Sequence, residues 1–97
     1  MIDEAAQAME PLSLIALNYI DSNAQGGLVG DYMQLPPVVH NRAAAFAGLD
    51  LNLFERLFNL PGQAAITLTE QHRMHHSISA WPSQHFYRGL LINAAAV

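Results

Sequence analysis

Short apolar runs that end in polar or charged residues constrain the fold of this chain more than any other feature of its sequence. Residues 27–30 are typical of the end of a buried parallel strand, and residues 64–68 are typical of another. Segments with helical periodicity lie between these runs. Because strands that alternate with helices usually pair in parallel, the sequence predicts an α/β fold with parallel strands.

The first helix is predicted to start at Glu10 and Pro11, since proline suits the first turn and glutamate suits the positive end of a helix. Polar residues at 21–27 should end it. Four residues at helical spacing should form its apolar face: Leu12, Ile15, Ala16 and Tyr19.

Two further helices are predicted downstream. Asp50 is a suitable cap for a helix with Leu51, Phe54, Leu57 and Phe58 on one face, which follows a helical turn at residues 43–47. Residues 76–87 are predicted to form the third helix, which Pro82 should break or kink near Trp81. Aromatic residues at helical spacing predict that Trp81, Phe86 and Tyr87 lie in the core.

Composition narrows the functional classes. The hydrophobic share of 52% predicts a folded core, and the absence of cysteine excludes disulfides and thiolate metal sites. Eight acidic and four basic residues give a net charge of -4, and every basic residue is an arginine. Binding to nucleic acid needs a basic face, so any such role must depend on residues outside this chain. No apolar stretch approaches the ~20 residues of a membrane span, and we expect an intracellular protein of the cytoplasm or nucleus.

Three motifs carry candidate chemistry. In the first motif (residues 2–7), Asp3 at the end of a strand could hold Mg²⁺ and Glu4 could activate water, although a solvated acidic turn is an alternative. In the second motif (residues 30–37), Asp31 again follows an apolar run, and Gln34 offers a donor and an acceptor. Parallel pairing would bring Asp3 and Asp31 to one edge of the sheet.

The third motif (residues 68–74) contains Arg73. This arginine could form a structural ion pair with Asp3, Glu4 or Asp31. It could instead contact a transferring phosphoryl group, because its planar donors match phosphate oxygens. The sequence leaves both interpretations open.

In this order, the three motifs resemble superfamily-1 helicases of the senataxin and regulator-of-nonsense-transcripts type. The resemblance extends over about residues 2–91 and includes Glu10-Pro11-Leu12 and the Leu-Phe-Glu-Arg-Leu run at residues 53–57. It implies a partial, incomplete P-loop NTPase (RecA-like) fold. Residues 1–68 would be the C-terminal part of the first RecA-like lobe, and residues 69–97 the start of the second.

The resemblance also implies the function and the site. The parent protein would be an ATP-dependent helicase that uses ATP and Mg²⁺ and acts on single-stranded RNA or DNA. Asp3 would coordinate Mg²⁺, and the catalytic residues would be Glu4, Gln34 and Arg73. The remaining residues expected near the nucleotide are Gln7, Asp31, Gln71 and His72, of which His72 stands where the family often has tyrosine.

One element of that family's ATP site is absent from these 97 residues. The chain has no glycine-rich phosphate loop of the form G-x-x-x-x-G-K-[ST] and no lysine. We therefore expect that the isolated chain does not hydrolyse ATP and needs the remaining helicase lobes. We also expect it to be marginally folded, because its parallel strands would lack neighbours that cover their apolar faces and edges. An inactive truncated product and a protein-interaction module remain alternatives.

Overall fold

The computed structural model describes residues 1–95 of this chain, which divides into two compact units, Met1–Ala64 and Ala65–Val97. This boundary lies four residues before the predicted division at 68/69, whose assignment to two RecA-like lobes stays a prediction. The first unit contains a 3₁₀ turn and three α-helices: Ala5–Gln7, α1 (Glu10–Leu17), α2 (Arg42–Ala44), which continues into a π-helical turn (Ala45–Leu49), and α3 (Leu53–Phe58). The second contains β1 (Glu70–Gln71), α4 (His76–Phe86) and β2 (Ile92–Asn93).

A parallel bridge between Ile2 and Leu28 organises the first unit. The Ile2 amide donates to the Gly27 carbonyl, and the Val29 amide donates to the Ile2 carbonyl, both at 2.9 Å. The Ala5 amide extends the pairing by donating to the Val29 carbonyl at 2.9 Å. The predicted parallel pairing of residues 27–30 is therefore confirmed, although it extends over one bridge rather than a longer ladder. The predicted burial is wrong, because Val29 is 45% exposed and Gly27 is exposed as well.

Helix α1 begins at Glu10, as predicted, with proline in its first turn. It ends at Leu17, so Tyr19 lies beyond it, and the predicted apolar face is wrong as a buried face. Leu12 is 52% exposed and Ile15 is 58% exposed, whereas Ser13 is buried. Periodicity shows which side chains share a face, but the face that packs is the one whose small side chain allows close approach.

Helix α3 is capped by Asn52 and not by Asp50, which corrects the sequence prediction. The Asn52 side-chain oxygen accepts the Glu55 amide at 2.7 Å, and Asn52 itself is buried. Asparagine and aspartate are comparable caps, so local sequence does not distinguish two candidates two residues apart. Because the helix starts later than predicted, Leu51 lies outside it. The helix packs on the 3₁₀ turn, and its residue Leu53 is buried.

The second unit contains a two-stranded parallel sheet in which Glu70 pairs with Ile92 and Gln71 pairs with Asn93. The strand predicted at residues 64–68 is wrong, because this segment forms no strand and Ile66 is 92% exposed. A strand needs a partner for its amide and carbonyl groups. Among the described residues, the ladder along this stretch begins only at Glu70.

Helix α4 continues through Pro82, so the predicted break is wrong, and the alternative of a kink near Trp81 stays a prediction. Its buried residues are Ser79 and Ser83, whose hydroxyls donate to the Asn93 side-chain oxygen at 2.7 Å and to the Leu91 carbonyl at 3.2 Å. Trp81 lies two residues from each serine, about 200° around the helix, and is 64% exposed. The predicted aromatic core is therefore wrong for Trp81, which instead stacks on His85 with ring centroids 4.8 Å apart. It is also wrong for Phe86, which is 40% exposed, while Tyr87 is half-buried.

The mixture of helices with parallel pairing in both units agrees with a partial P-loop NTPase fold. In the part of the chain that the structure describes, no helix has the length and apolar character required to cross a membrane.

Candidate functional site

The first motif forms a tight turn directly after the bridged residue Ile2. The Glu4 amide donates to Asp3 Oδ1 at 2.9 Å, and the Gln7 side-chain amide donates to Glu4 Oε2 at 3.0 Å. Glu4 has φ 50° and ψ 35°, the left-handed conformation that costs a non-glycine residue of order 1 kcal/mol or more. Both carboxylates are exposed, while Ala5 and Ala6 beneath them are 1% exposed.

The second motif is fixed by the Asp31 carboxylate. Asp31 Oδ1 accepts the Met33 amide at 2.9 Å, and Oδ2 accepts the Gln34 side-chain amide at 2.8 Å. The first contact closes an Asx turn, and the second orients the Gln34 side chain. Asp31 therefore positions Gln34, and the bond uses only one of the two amide hydrogens of that side chain.

Gly30 brings the first two motifs into direct contact. A Cβ at this position would lie 3.0 Å from the Ala6 nitrogen and 3.2 Å from the Ala5 nitrogen. Asp3 follows Ile2 by one residue and Asp31 follows Leu28 by three, so both lie at the same end of the parallel bridge. This arrangement is the one that parallel pairing predicts. Gly30 is not among the predicted site residues, and its signal in the sequence is a glycine immediately before Asp31.

The third motif is held by the side chain of Gln71. Its Oε1 accepts the amides of Arg73 at 2.9 Å and Met74 at 2.7 Å. Its Nε2 donates to the Met74 carbonyl at 2.6 Å and to the side-chain oxygen of Asn93. Both hydrogens and both acceptor positions of the amide are therefore used within the second unit. This geometry assigns Gln71 to shaping the motif, and its contact with a nucleotide stays a prediction.

His72 and Arg73 project from this motif into solvent. His72 Nε2 lies 3.8 Å from Glu70 Oε1, and its side chain is 71% exposed. Within residues 65–95, the Arg73 guanidinium makes no ion pair, while its backbone amide is bound to Gln71. The structural and the phosphate-binding interpretations of Arg73 both stay predictions.

The donor set of the first motif is suitable for Mg²⁺ through one carboxylate. Among the described residues, no group of three or more histidine, cysteine, aspartate or glutamate side chains could enclose a metal ion. Mg²⁺ is commonly held by one or two carboxylates together with water and substrate phosphates, so a complete protein cage is not required. The Asp3 carboxylate accepts the Glu4 amide through Oδ1, and that bond leaves Oδ2 for such a ligand role.

An ion pair between Glu10 and Arg56 joins two helices of the first unit. Arg56 Nη2 and Nε donate to the two oxygens of Glu10 at 2.6 Å and 2.9 Å. Hydrogen bonding to Arg56 lowers the pKa of Glu10 from its ordinary value, and the same bond raises the pKa of Arg56. The Arg56 fork is thus bound to a carboxylate of its own unit.

Comparison with known proteins identifies the family. Two family models, each described as an AAA domain, match residues 1–42 and residues 49–97. The chain is 47% identical over 93 residues to the Schizosaccharomyces pombe protein named ATP-dependent helicase upf1, which covers 96% of this chain and 10% of that protein. It is 46% identical over 97 residues to an Arabidopsis thaliana regulator of nonsense transcripts 1 homolog, covering 100% of this chain and 8% of that protein.

A third relative is the DNA-binding protein SMUBP-2 of Mesocricetus auratus, at 41% identity over 92 residues, which is 94% of this chain and 9% of that protein. The chain therefore spans about a tenth of the length of the curated relatives it matches. It belongs to the AAA-domain family and, within it, to the superfamily-1 helicases of the regulator-of-nonsense-transcripts type. The resemblance inferred from the three motifs is confirmed.

Proposed function

We propose that this chain handles the γ-phosphate of ATP in a helicase motor that moves along single-stranded RNA or DNA. The observation that carries the proposal is the parallel bridge between Ile2 and Leu28. The two carboxylates of the first motif follow Ile2, and a glutamine oriented by Asp31 follows Leu28 in the second motif. In open α/β sheets, ligands bind at the carboxyl ends of the strands, which is where these side chains lie.

Asp3 would hold Mg²⁺ in this site. When bound, the ion would neutralise charge that develops on the phosphate oxygens. The bond from the Glu4 amide fixes the orientation of the Asp3 carboxylate at 2.9 Å, so the remaining oxygen keeps a defined direction. Asp31 supports the site indirectly, because its oxygens bind Met33 and Gln34.

Glu4 would act as the general base. A water oxygen attacks the γ-phosphorus, the bond to the β–γ bridging oxygen breaks, and ADP and phosphate leave. The water proton passes to the Glu4 carboxylate. Gln7 binds Oε2 of Glu4 at 3.0 Å, which restricts the rotation of the carboxylate while Oε1 is not used by that bond. The contribution of Gln7 is therefore to orient the base.

Gln34 and Arg73 would respond to the γ-phosphate from their own motifs. Asp31 holds one amide hydrogen of Gln34 at 2.8 Å, so the side chain has a fixed direction before ATP arrives. The Arg73 guanidinium is exposed, and its planar donors match phosphate oxygens. The His72 ring is exposed beside it and offers a surface for stacking on a nucleotide base.

A graft into a longer relative tests this proposal. The 93-residue matching segment of the S. pombe helicase is replaced by the corresponding part of this chain, and nucleic-acid-stimulated phosphate release is measured. Glu4→Gln should lower turnover at least ~100-fold, because general base catalysis contributes about 10²–10⁴-fold. Asp21→Asn removes an exposed carboxylate outside the site and should leave turnover unchanged. An active graft that tolerates Glu4→Gln would contradict the proposal.

The nucleic-acid partner is tested in the same graft. One relative is named a DNA-binding protein, and we propose that the present chain also serves a nucleic-acid-dependent motor. Stimulation of phosphate release is compared for single-stranded RNA, single-stranded DNA and a neutral polymer of the same length. The proposal requires stimulation by at least one nucleic acid, and equal rates in all three conditions would refute this part of it.

A further inference from the structure

The ion pair between Glu10 and Arg56 connects parts of the first unit that are far apart in sequence. Two parallel N–H···O contacts, at 2.6 Å and 2.9 Å, join residues 46 positions apart. The side chains are 28% and 44% exposed, respectively. A planar, two-contact geometry fixes direction as well as distance, which a single contact to an ammonium group does not. The pair therefore attaches the start of α1 rigidly to the last turn of α3.

Helix α3 contacts both motifs of the first unit. It packs against the 3₁₀ turn Ala5–Gln7, which belongs to the first motif. The Phe58 ring at its end lies 5.1 Å from the ring of Tyr32, which belongs to the second motif. A helix that touches both motifs can hold them in one arrangement only if its own position is fixed.

The segment from Asp3 to Glu10 is anchored at its two ends. Upstream, the Ile2 carbonyl accepts the Val29 amide at 2.9 Å, and within the segment the Ala5 amide donates to the Val29 carbonyl at 2.9 Å. Downstream, Glu10 is bound to Arg56. Between these anchors lies Glu4, at φ 50°. Such a strained backbone persists only where surrounding contacts determine it, so each anchor matters to the conformation of Glu4.

We propose that Arg56 is a positioning residue, whose fork on Glu10 holds the Glu4-bearing turn against α3. The effect of Arg56 on catalysis rests on the proposed function, since Glu4 acts as a general base only if the site hydrolyses ATP. A pair with purely structural effect would weaken the whole unit slightly and evenly. A positioning pair affects the anchored segment first and leaves distant parts of the same unit unchanged.

Native-state hydrogen exchange on the full 97-residue chain distinguishes a positioning pair from a purely structural pair. In Arg56→Met, the protection of the Ala5 amide should fall by about threefold to fivefold, the range expected for one well-formed exposed pair. The Ala45 amide, bound to the Asn41 carbonyl at 3.0 Å in the same unit, should not change. Arg42→Met removes an equal charge from a residue outside this pair and serves as the matched control.

Arg56→Lys separates charge from geometry. Lysine keeps the positive charge but loses the fork, so the protection of Ala5 should fall between the wild type and Arg56→Met. An equal loss at Ala5 and Ala45 would overturn the proposal, because it would show a general loss of stability. Unchanged protection at Ala5 in Arg56→Met would overturn it as well.

The grafted helicase supplies a second measurement if the isolated variants do not fold. Arg56→Met should lower kcat several-fold while KM for ATP stays within about twofold, because a misplaced base slows the chemical step more than it weakens binding. Equal kcat values for the wild type and Arg56→Met would overturn the proposal. If Glu4→Gln does not affect the graft, the proposed function fails, whereas the exchange result still decides the positioning role of Arg56.

Discussion

Replacement of Gly30 by alanine should separate the two motifs of the first unit. The new Cβ would lie 3.0 Å from the Ala6 nitrogen and 3.2 Å from the Ala5 nitrogen, about 0.4 Å and 0.2 Å inside the 3.4 Å at which ordinary contact begins. Both neighbours are backbone atoms of a buried turn, so neither can move by changing a rotamer. Overpacking of this kind costs about 1–3 kcal/mol.

Gly27→Ala provides a matched control on the same segment. A Cβ on Gly27 meets no atom within 4 Å, and its φ lies outside the left-handed range. Both substitutions reduce the freedom of the unfolded chain, which stabilises by about 0.4–1 kcal/mol where the native backbone allows it. This contribution cancels between the two variants. Gly30→Ala should therefore be less stable than Gly27→Ala by about 1–3 kcal/mol.

The assay is urea denaturation of both variants, followed by far-ultraviolet circular dichroism and by the Ala5 amide signal. Fluorescence of Trp81 is unsuitable because this residue lies in the second unit, and the chain has a single tryptophan. The Ala5 amide should also lose protection in Gly30→Ala, since its bond to the Val29 carbonyl spans the widened contact. Equal stability of the two variants would refute the contact between the motifs.

Three further predictions follow from the same contacts. Because the pKa of Glu10 is lowered in the folded state, its pair with Arg56 stabilises the fold above pH ~4.5, and this stabilisation is lost as the pH falls through the lowered pKa. The stability difference between wild type and Arg56→Met, measured by denaturation at several pH values, should therefore shrink as the pH falls through that range. Asn52→Ala should cost about 1–2 kcal/mol in the same assay, because the Glu55 amide loses its cap, and a loss below 0.3 kcal/mol would argue against the cap. Arg88→Gly should raise the melting temperature of the second unit, since Arg88 has φ 53°, and an unchanged or lower value would contradict the strain.

The motifs of the first unit could be predicted because each depends on nearby residues and on one long-range rule. Helix α1 begins where Glu10 and Pro11 indicate, and Asp31 lies at the end of a parallel-paired run, as its apolar flank predicts. The contact that brings the motifs together depends instead on the missing side chain of Gly30. Sequence alone shows a glycine there but not the Ala5–Ala6 backbone against it.

Burial is the property that the sequence predicts least well, and the cause is physical. An apolar run indicates that burying its surface would be favourable, but the run does not show which segment of the chain covers it. Residues 64–68 are apolar yet unpaired, and Leu12 is exposed although it lies at the expected helical spacing. Conversely, Ser79 and Ser83 are buried because hydrogen bonds to β2 and the residue before it satisfy their hydroxyls, which no apolar pattern indicates.

The amide of Gln71 has a consequence for the tolerance of this position to mutation. Asparagine is too short to reach the same four partners. Glutamate lacks the two N–H groups that donate to the Met74 carbonyl and to the Asn93 side-chain oxygen. In a library of all single substitutions scored by the cellular abundance of folded protein, position 71 should accept almost nothing but glutamine. His72 and Arg73 should vary freely in that score and become restricted only when ATP turnover of the grafted helicase is selected. The three adjacent positions would thereby separate the demands of folding from those of catalysis.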